Sequence, residues 1–198
     1  MAAYSLPDLP YEYSALEPYI SAETMRVHHL VHHREYVDRA NLAIGLLAEA
    51  RNKRNFSHIR KFHRDLACNL GHHINHSLFW LSVSPHGGGA PVGEVRSVLE
   101  DYFGSFSMFR DHFSAAALDV PDSGFITLAW DEVGRRPHML QLLDQEENAP
   151  MGMTPLLSLD VADHAYQLDY PGARDAYVAA FWQIVDWVEV ARRLDPLL

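Results

Sequence analysis

From Ser21 to about Arg51 the chain runs without a proline, and only Gly45 weakens its helical pattern. A second such stretch follows from about Ser57 to Leu81. Ser21 is suited to cap the first helix, with Thr24 and Met25 in its opening turn. Two long helices joined by so few residues pack antiparallel, which predicts a helical hairpin at the start of the molecule. A proline-punctuated arm, LPDLPYEYSALEPYI, leads into it. SPHGGGAP, residues 84–91, extends neither helix and marks the best lobe boundary, giving units of 1–87 and 88–198.

Beyond that loop, VGEVRSVLEDYFG and SFSMFRDHFSAAAL read as two helices separated by Gly104. SGFITLAWDEVGRRPHMLQLLD reads as a β-hairpin with its turn at VGRRP. Its poor alternation suits strands covered on both faces. PLLSLD is a third short strand, and RDAYVAAFWQIVDWVEVARRL an amphipathic helical stretch. The predicted class is α+β: an N-terminal helical hairpin lobe plus a C-terminal α/β lobe with a small three-stranded antiparallel sheet.

Composition narrows the function. Hydrophobic residues make up 48% of 198, enough for a real core. Apolar runs such as SAAALDV and LLSL are far short of a membrane span. The opening MAAYSLPDLPYEY lacks a basic segment followed by an apolar one, so the expectation is no signal peptide and a cytoplasmic location. A formal net charge of −10 argues against a nucleic-acid partner and requires a local positive patch if the substrate is an anion. Cys68 is the only cysteine, so intrachain disulfides and thiolate metal clusters are excluded, and any metal must be held by nitrogen and oxygen.

Thirteen histidines is several times ordinary usage. Four of them fall in HHLVHHREY, His28 to Tyr36. On an α-helix His28, His32 and Tyr36 form one stripe, and His29 and His33 another, so one stripe can face in while the other faces out. His72, His73 and His76 repeat the theme on the second helix. Taken alone, either cluster also suits exposed or quietly packed rings. Asp160 ends the apolar strand of LLSLDVADHAY, and His164 follows four residues later. A carboxylate there is costly unless paired or bound to a cation. Three imidazoles and one carboxylate would make an N₃O site that suits iron, manganese or zinc better than calcium or copper(I).

Together these segments resemble the iron/manganese superoxide dismutases along essentially the whole chain. LPDLPYEYSALEPYIS followed by TMRVHHLVHHREYV resembles that family's opening. HHINHSLFW resembles its second signature, SPHGGGAPVGEV its inter-lobe linker, and LDVADHAY its D-V-W-E-H-A-Y-Y signature. The resemblance implies a metal between the two lobes, one iron or manganese ion per subunit, held by His28, His76, Asp160 and His164. A solvent molecule would take the fifth place. It further implies Tyr36 and His32 at the substrate channel, Arg174 nearby as an attractor of the anion, and His29 and His33 in packing or surface roles. The implied reaction converts superoxide to dioxygen and hydrogen peroxide in a homodimer, with no nucleic-acid or membrane partner.

Departures from the pattern cluster near the implied metal. Ala162 replaces the signature's tryptophan, Asp163 its glutamate and Gln167 its last tyrosine. Phe125 and Thr127 stand where S-G-W-x-W has indoles. Losing three indoles predicts either a larger, wetter pocket or repacking by neighbours. The glutamate and last tyrosine reach across the dimer in the family, so Asp163 and Gln167 put those links in question. Four residues before the second ligand stands His72, where glycine, alanine or glutamine is usual. Gln145 in LDQEENAP resembles a glutamine that contacts the bound solvent. His72 is expected to contact that solvent or, as a lesser option, to be a fifth ligand. An alternative to a dismutase is therefore a repurposed mononuclear metal oxidase or oxygenase acting on an organic substrate. A non-catalytic metal-binding protein on the same fold is a third reading, opposed by the complete ligand set.

Overall fold

A computed structural model describes residues 2–143 and 152–198. Ser21 caps helix α1 (Ala22–Val27), its hydroxyl accepting from the Thr24 N–H at 3.1 Å. The helix does not stay α-helical. His28–His33 form a π-helical turn before α2 (Arg34–Lys53) resumes, and Arg54, at φ 50°, closes α2 in the left-handed region. After a short loop, α3 (Ile59–Ser82) returns antiparallel along α2. The α2 face that is buried carries Val37, Ala40, Ala43, Leu47 and Ala50. Its three alanines let the helices approach closely.

The second lobe begins with α4 (Gly93–Phe103) and α5 (Phe106–Leu118), broken at Gly104 with φ +87°. The strands β1 (Gly124–Asp131), β2 (Arg136–Leu143) and β3 (Met153–Asp160) form an antiparallel sheet in the order β2-β1-β3. The central strand β1 is buried along nearly its whole length, which accounts for its lack of alternation; β2, at the edge, is partly exposed. Register pairs Phe125 with Asp160 and Thr127 with Ser158. A short α6 (Asp163–Tyr166) then follows directly on β3.

The terminal amphipathic helical stretch is divided in two. It folds as α7 (Arg174–Phe181) and α8 (Trp187–Leu194). The residues between them bind the first lobe. Ile184 O accepts from Ser84 N–H at 2.8 Å, Val185 bridges Val83, and Asp186 N–H donates to Ser82 O at 2.9 Å. The Asp186 carboxylate then caps α8 through the N–H groups of Val188 and Glu189, both at 3.0 Å. These bonds replace the helical ones lost at the break.

Aromatic residues Phe109, Phe113, Phe181 and Trp182 fill the core between α5 and α7, while Phe79, Trp80 and Phe125 belong to the same buried cluster from the other side. The lobes are joined by polar contacts as well. Ser158 N–H donates to Ser82 Oγ at 3.0 Å across the junction, and within the first lobe Tyr11 OH ties the N-terminal arm to Trp80 O at 2.8 Å. In the inter-lobe loop Gly88 has φ +91°, and a Cβ there would lie 2.5 Å from Gln183 O. Gly88→Ala is expected to cost more than about 1 kcal/mol. Gly89→Ala, at φ +71° with open space around it, is expected to cost less; thermal denaturation of the two variants side by side checks the ranking.

Candidate metal centre

Four elements converge where the lobes meet. His28 opens the π turn, His76 lies on α3, Asp160 ends β3, and His164 sits on α6. One ligand atom from each lies within 4.8 Å of all the others, and among the described residues this is the one such group of three or more side chains. The first three residues are buried and His164 is partly so. Asp160 reaches the group because β3 pairs with β1 up to its last residue.

The hydrogen bonds fix what each atom can do. Asp160 Oδ1 accepts from the Ala162 N–H at 2.9 Å, which turns Oδ2 towards the imidazoles. Nε2 of His28 lies 2.9 Å from Oδ2, that of His164 3.2 Å and that of His76 3.4 Å. His76 Nδ1–H donates to His72 O at 2.7 Å. Its Nε2 is therefore a bare lone pair, buried without a hydrogen-bond donor and aimed at a carboxylate oxygen. Two electron pairs facing each other in a dry site are repulsive; a cation between them turns both into ligands. The donor set fits a metal ion.

Protonation follows the same logic. Burial pulls the His28 pKa down to about 4, against the raising effect of Asp160. Burial also holds His76 well below the ordinary histidine range. Burial raises Asp160, but the charge and hydrogen bonds of His164 and His28 outweigh it and keep the carboxyl well below its usual range. His28 and His76 are thus favoured as neutral nitrogens and Asp160 as an ionised oxygen, the forms that bind metal.

The surroundings depart from the two-stripe reading. His29 and His33 are buried as well as His28. The wider i→i+5 bonding of the π turn rotates His33 towards the face of His28, compared with its place on an α-helix. Each ring finds partners there. His29 Nε2–H donates to Pro7 O and its Nδ1 accepts from Tyr13 OH, both at 2.8 Å. His33 Nδ1 accepts from the Trp80 indole at 2.9 Å, and its Nε2–H donates to His73 Nδ1 at 2.8 Å. Trp80, whose ring centroid lies 4.7 Å from that of His28, was missed in the sequence reading. Its place four residues after His76 puts it on the same helical face.

His32 stacks on His164, 4.3 Å between centroids and 13° between planes. Tyr36 stacks on His72 at 3.9 Å and 8°, and lies 5.3 Å from the ring of His76. His72 is buried but does not belong to the four-residue group. Gln145 lies outside the described residues. Arg174 makes no ion pair with another described residue. Its guanidinium donates to Val120 O at 2.6 Å, to Asp122 O at 2.9 Å and to Tyr166 OH at 3.3 Å.

The replaced indoles leave no water-sized space against the residues that stand there. Ala162, Phe125 and Thr127 are 2%, 1% and 2% exposed. Phe125 sets its ring edge-to-face on His76 at 5.2 Å, and Thr127 Oγ1 lies 2.9 Å from Ser158 Oγ across the strand pair. The region is repacked. Asp163 and Gln167 are both exposed. Asp163 accepts from Tyr166 OH at 3.0 Å, and Gln167 Oε1 accepts from the Gly172 N–H at 3.2 Å.

A two-lobed α+β chain with a buried N₃O set at the lobe junction defines a mononuclear metalloprotein. Residues 3–84 match the family "Iron/manganese superoxide dismutases, alpha-hairpin domain", and residues 91–193 match its C-terminal domain. A "Superoxide dismutase [Mn/Fe]" of Propionibacterium freudenreichii subsp. shermanii is 46% identical over 97% of this chain and 96% of its own length. A "Superoxide dismutase [Mn]" of Nocardia asteroides is 45% identical, covering 98% of this chain and 93% of its own. A "Superoxide dismutase [Fe]" of Mycobacterium tuberculosis is 44% identical over the same shares. The chain belongs to the iron/manganese superoxide dismutase family.

Two outcomes follow. Asp160→Ala removes the one anionic ligand and is expected to lower bound metal by at least about tenfold, read by elemental analysis of folded protein. Ala162→Trp overfills a site without space and is expected to lower stability by about 1–3 kcal/mol, read by denaturant unfolding.

Proposed function

We propose that the protein is a superoxide dismutase with one iron or manganese ion per subunit. The observation that carries this is the bare Nε2 of His76, which together with Oδ2 of Asp160 and two further imidazoles makes a buried site suited to such an ion. The relatives' names include manganese, iron and both, so the proposal extends to either metal.

When bound, the ion supplies one-electron chemistry between its trivalent and divalent states; two superoxide anions and two protons give one dioxygen and one hydrogen peroxide. The chain's residues do the rest. Three neutral imidazoles and a single carboxylate leave the loaded site net positive, which favours an anionic substrate. Tyr36, its ring against His76, is proposed to deliver a proton from its hydroxyl, and the half-exposed His32 to resupply it. His72 is proposed to fix the plane of the Tyr36 ring by stacking on it. The alternative of an oxygenase with an organic substrate loses its motive, because the positions that would have opened a pocket are closed.

A symmetric homodimer is proposed, with Leu30, Val31 and Leu168 as its exposed apolar contribution beside the turn carrying Asp163 and Gln167. The cytoplasm is the proposed location, compatible with a lone free thiol. No helix among the described residues is long and apolar enough to cross a membrane. The test is pulse radiolysis of the metal-loaded protein. It is expected to consume superoxide at about 10⁸–10⁹ M⁻¹s⁻¹ with no organic substrate; a rate no better than that of the free metal ion would overturn the proposal.

A further inference from the structure

Arg174 holds loop carbonyls, and the protein's formal net charge is −10. A different cationic surface is needed to draw an anion in. Between residues 51 and 64 every charged side chain is basic: Arg51, Lys53, Arg54, Arg60, Lys61 and Arg64, with no Asp or Glu among them. All six are exposed and cover the tip of the hairpin, where α2 ends and α3 begins. By itself such a run would be an ordinary solvated surface.

An independent feature gives it direction. A groove of about 780 Å³ lies against α2 and α3. Arg39, Arg60, Lys61, Arg64 and Asp65 line it, and so does Tyr36. Lys61 pairs with Asp65 and Arg39 with Glu35. Arg60 and Arg64 make no ion pair with any described residue, so their charge is directed at the groove and the solvent. The same groove thus touches an unneutralised pair of guanidinium groups and the tyrosine whose ring lies 5.3 Å from that of the ligand His76.

We propose that Arg60 and Arg64 gather the superoxide anion into this groove and direct it towards Tyr36, against the field of an acidic molecule. The inference rests on the dismutase reading and deepens it by naming the entry path. Clefts lined by one sign of charge raise encounter rates by about 10- to 1000-fold, and salt screens the effect; here Asp65 offsets Lys61, so the excess positive charge is that of Arg60 and Arg64.

The experiment compares superoxide decay over a range of sodium chloride concentrations for metal-loaded wild type, Arg60→Glu/Arg64→Glu and Arg96→Glu/Arg110→Glu. The last pair changes net charge equally but lies on α4 and α5 of the other lobe. The wild-type rate is expected to fall as salt rises. The groove variant is expected to be slower by about tenfold at low salt, with a flattened salt dependence and unchanged metal content. The control pair is expected to stay within about twofold of wild type. Arg60→Gln/Arg64→Gln, a milder change, is expected to move the same way by less, and serves if the reversal impairs folding. Equal losses in the groove and control variants, or none in the groove variants, would overturn the entry path while leaving the dismutase assignment intact. An inactive metal-loaded wild type would overturn the assignment and the path together.

Discussion

Oδ2 of Asp160, buried and facing three imidazole nitrogens, is the constraint on which the rest of the structure turns. A carboxylate in that setting is expensive without a positive partner. The fold supplies its geometry from both sides of the lobe junction. The β1–β3 register carries Asp160 inward, the Ala162 N–H holds its other oxygen, and α3 presents His76 with its Nδ1 proton committed to His72 O. What remains is a set of lone pairs arranged for a cation. The lobes are therefore held together by the ion's ligands as well as by the serine pair Ser82–Ser158 and the bonds from Ser84 and Asp186.

Around that centre the residues that hold rings in place differ from those the family pattern implies, without enlarging the site. An indole at position 162 has no room where Ala162 packs. Phe125 covers an edge of His76 instead, and Thr127 trades an aromatic contact for a hydroxyl pair with Ser158. The stack of Tyr36 on His72 adds a contact absent when that position holds glycine or alanine. Chemistry at the ion is thus set by a retained ligand set inside an altered packing shell. The acidic whole and the basic hairpin tip divide the labour of charge: the former sets the overall field, the latter a local entry.

Much of this was legible in the residues. The hairpin followed from two long proline-free stretches, the sheet from short apolar runs separated by a turn, and the four ligands from motif positions that geometry then brought within reach of one point. The π turn was not legible, because it reflects a demand that His28, His29 and His33 all be covered at once by α3 and the N-terminal arm, and an α-helical stripe cannot express that. The break between α7 and α8 escaped for a similar reason. Its backbone bonds go to the other lobe, although the D-x-x-E spacing of Asp186 and Glu189 is a helix-start signal that lay in plain view. The loop carbonyls that Arg174 holds were not legible either, because Val120 and Asp122 lie more than fifty residues away in the chain.

The most direct test of the central claim is a crystal structure of the metal-loaded protein with anomalous data collected at the iron and manganese edges. A single anomalous peak at coordination distance from His28 Nε2, His76 Nε2, His164 Nε2 and one oxygen of Asp160, with His72 uncoordinated, is the predicted result. A peak elsewhere, or one that leaves Asp160 outside the coordination sphere, would contradict the account.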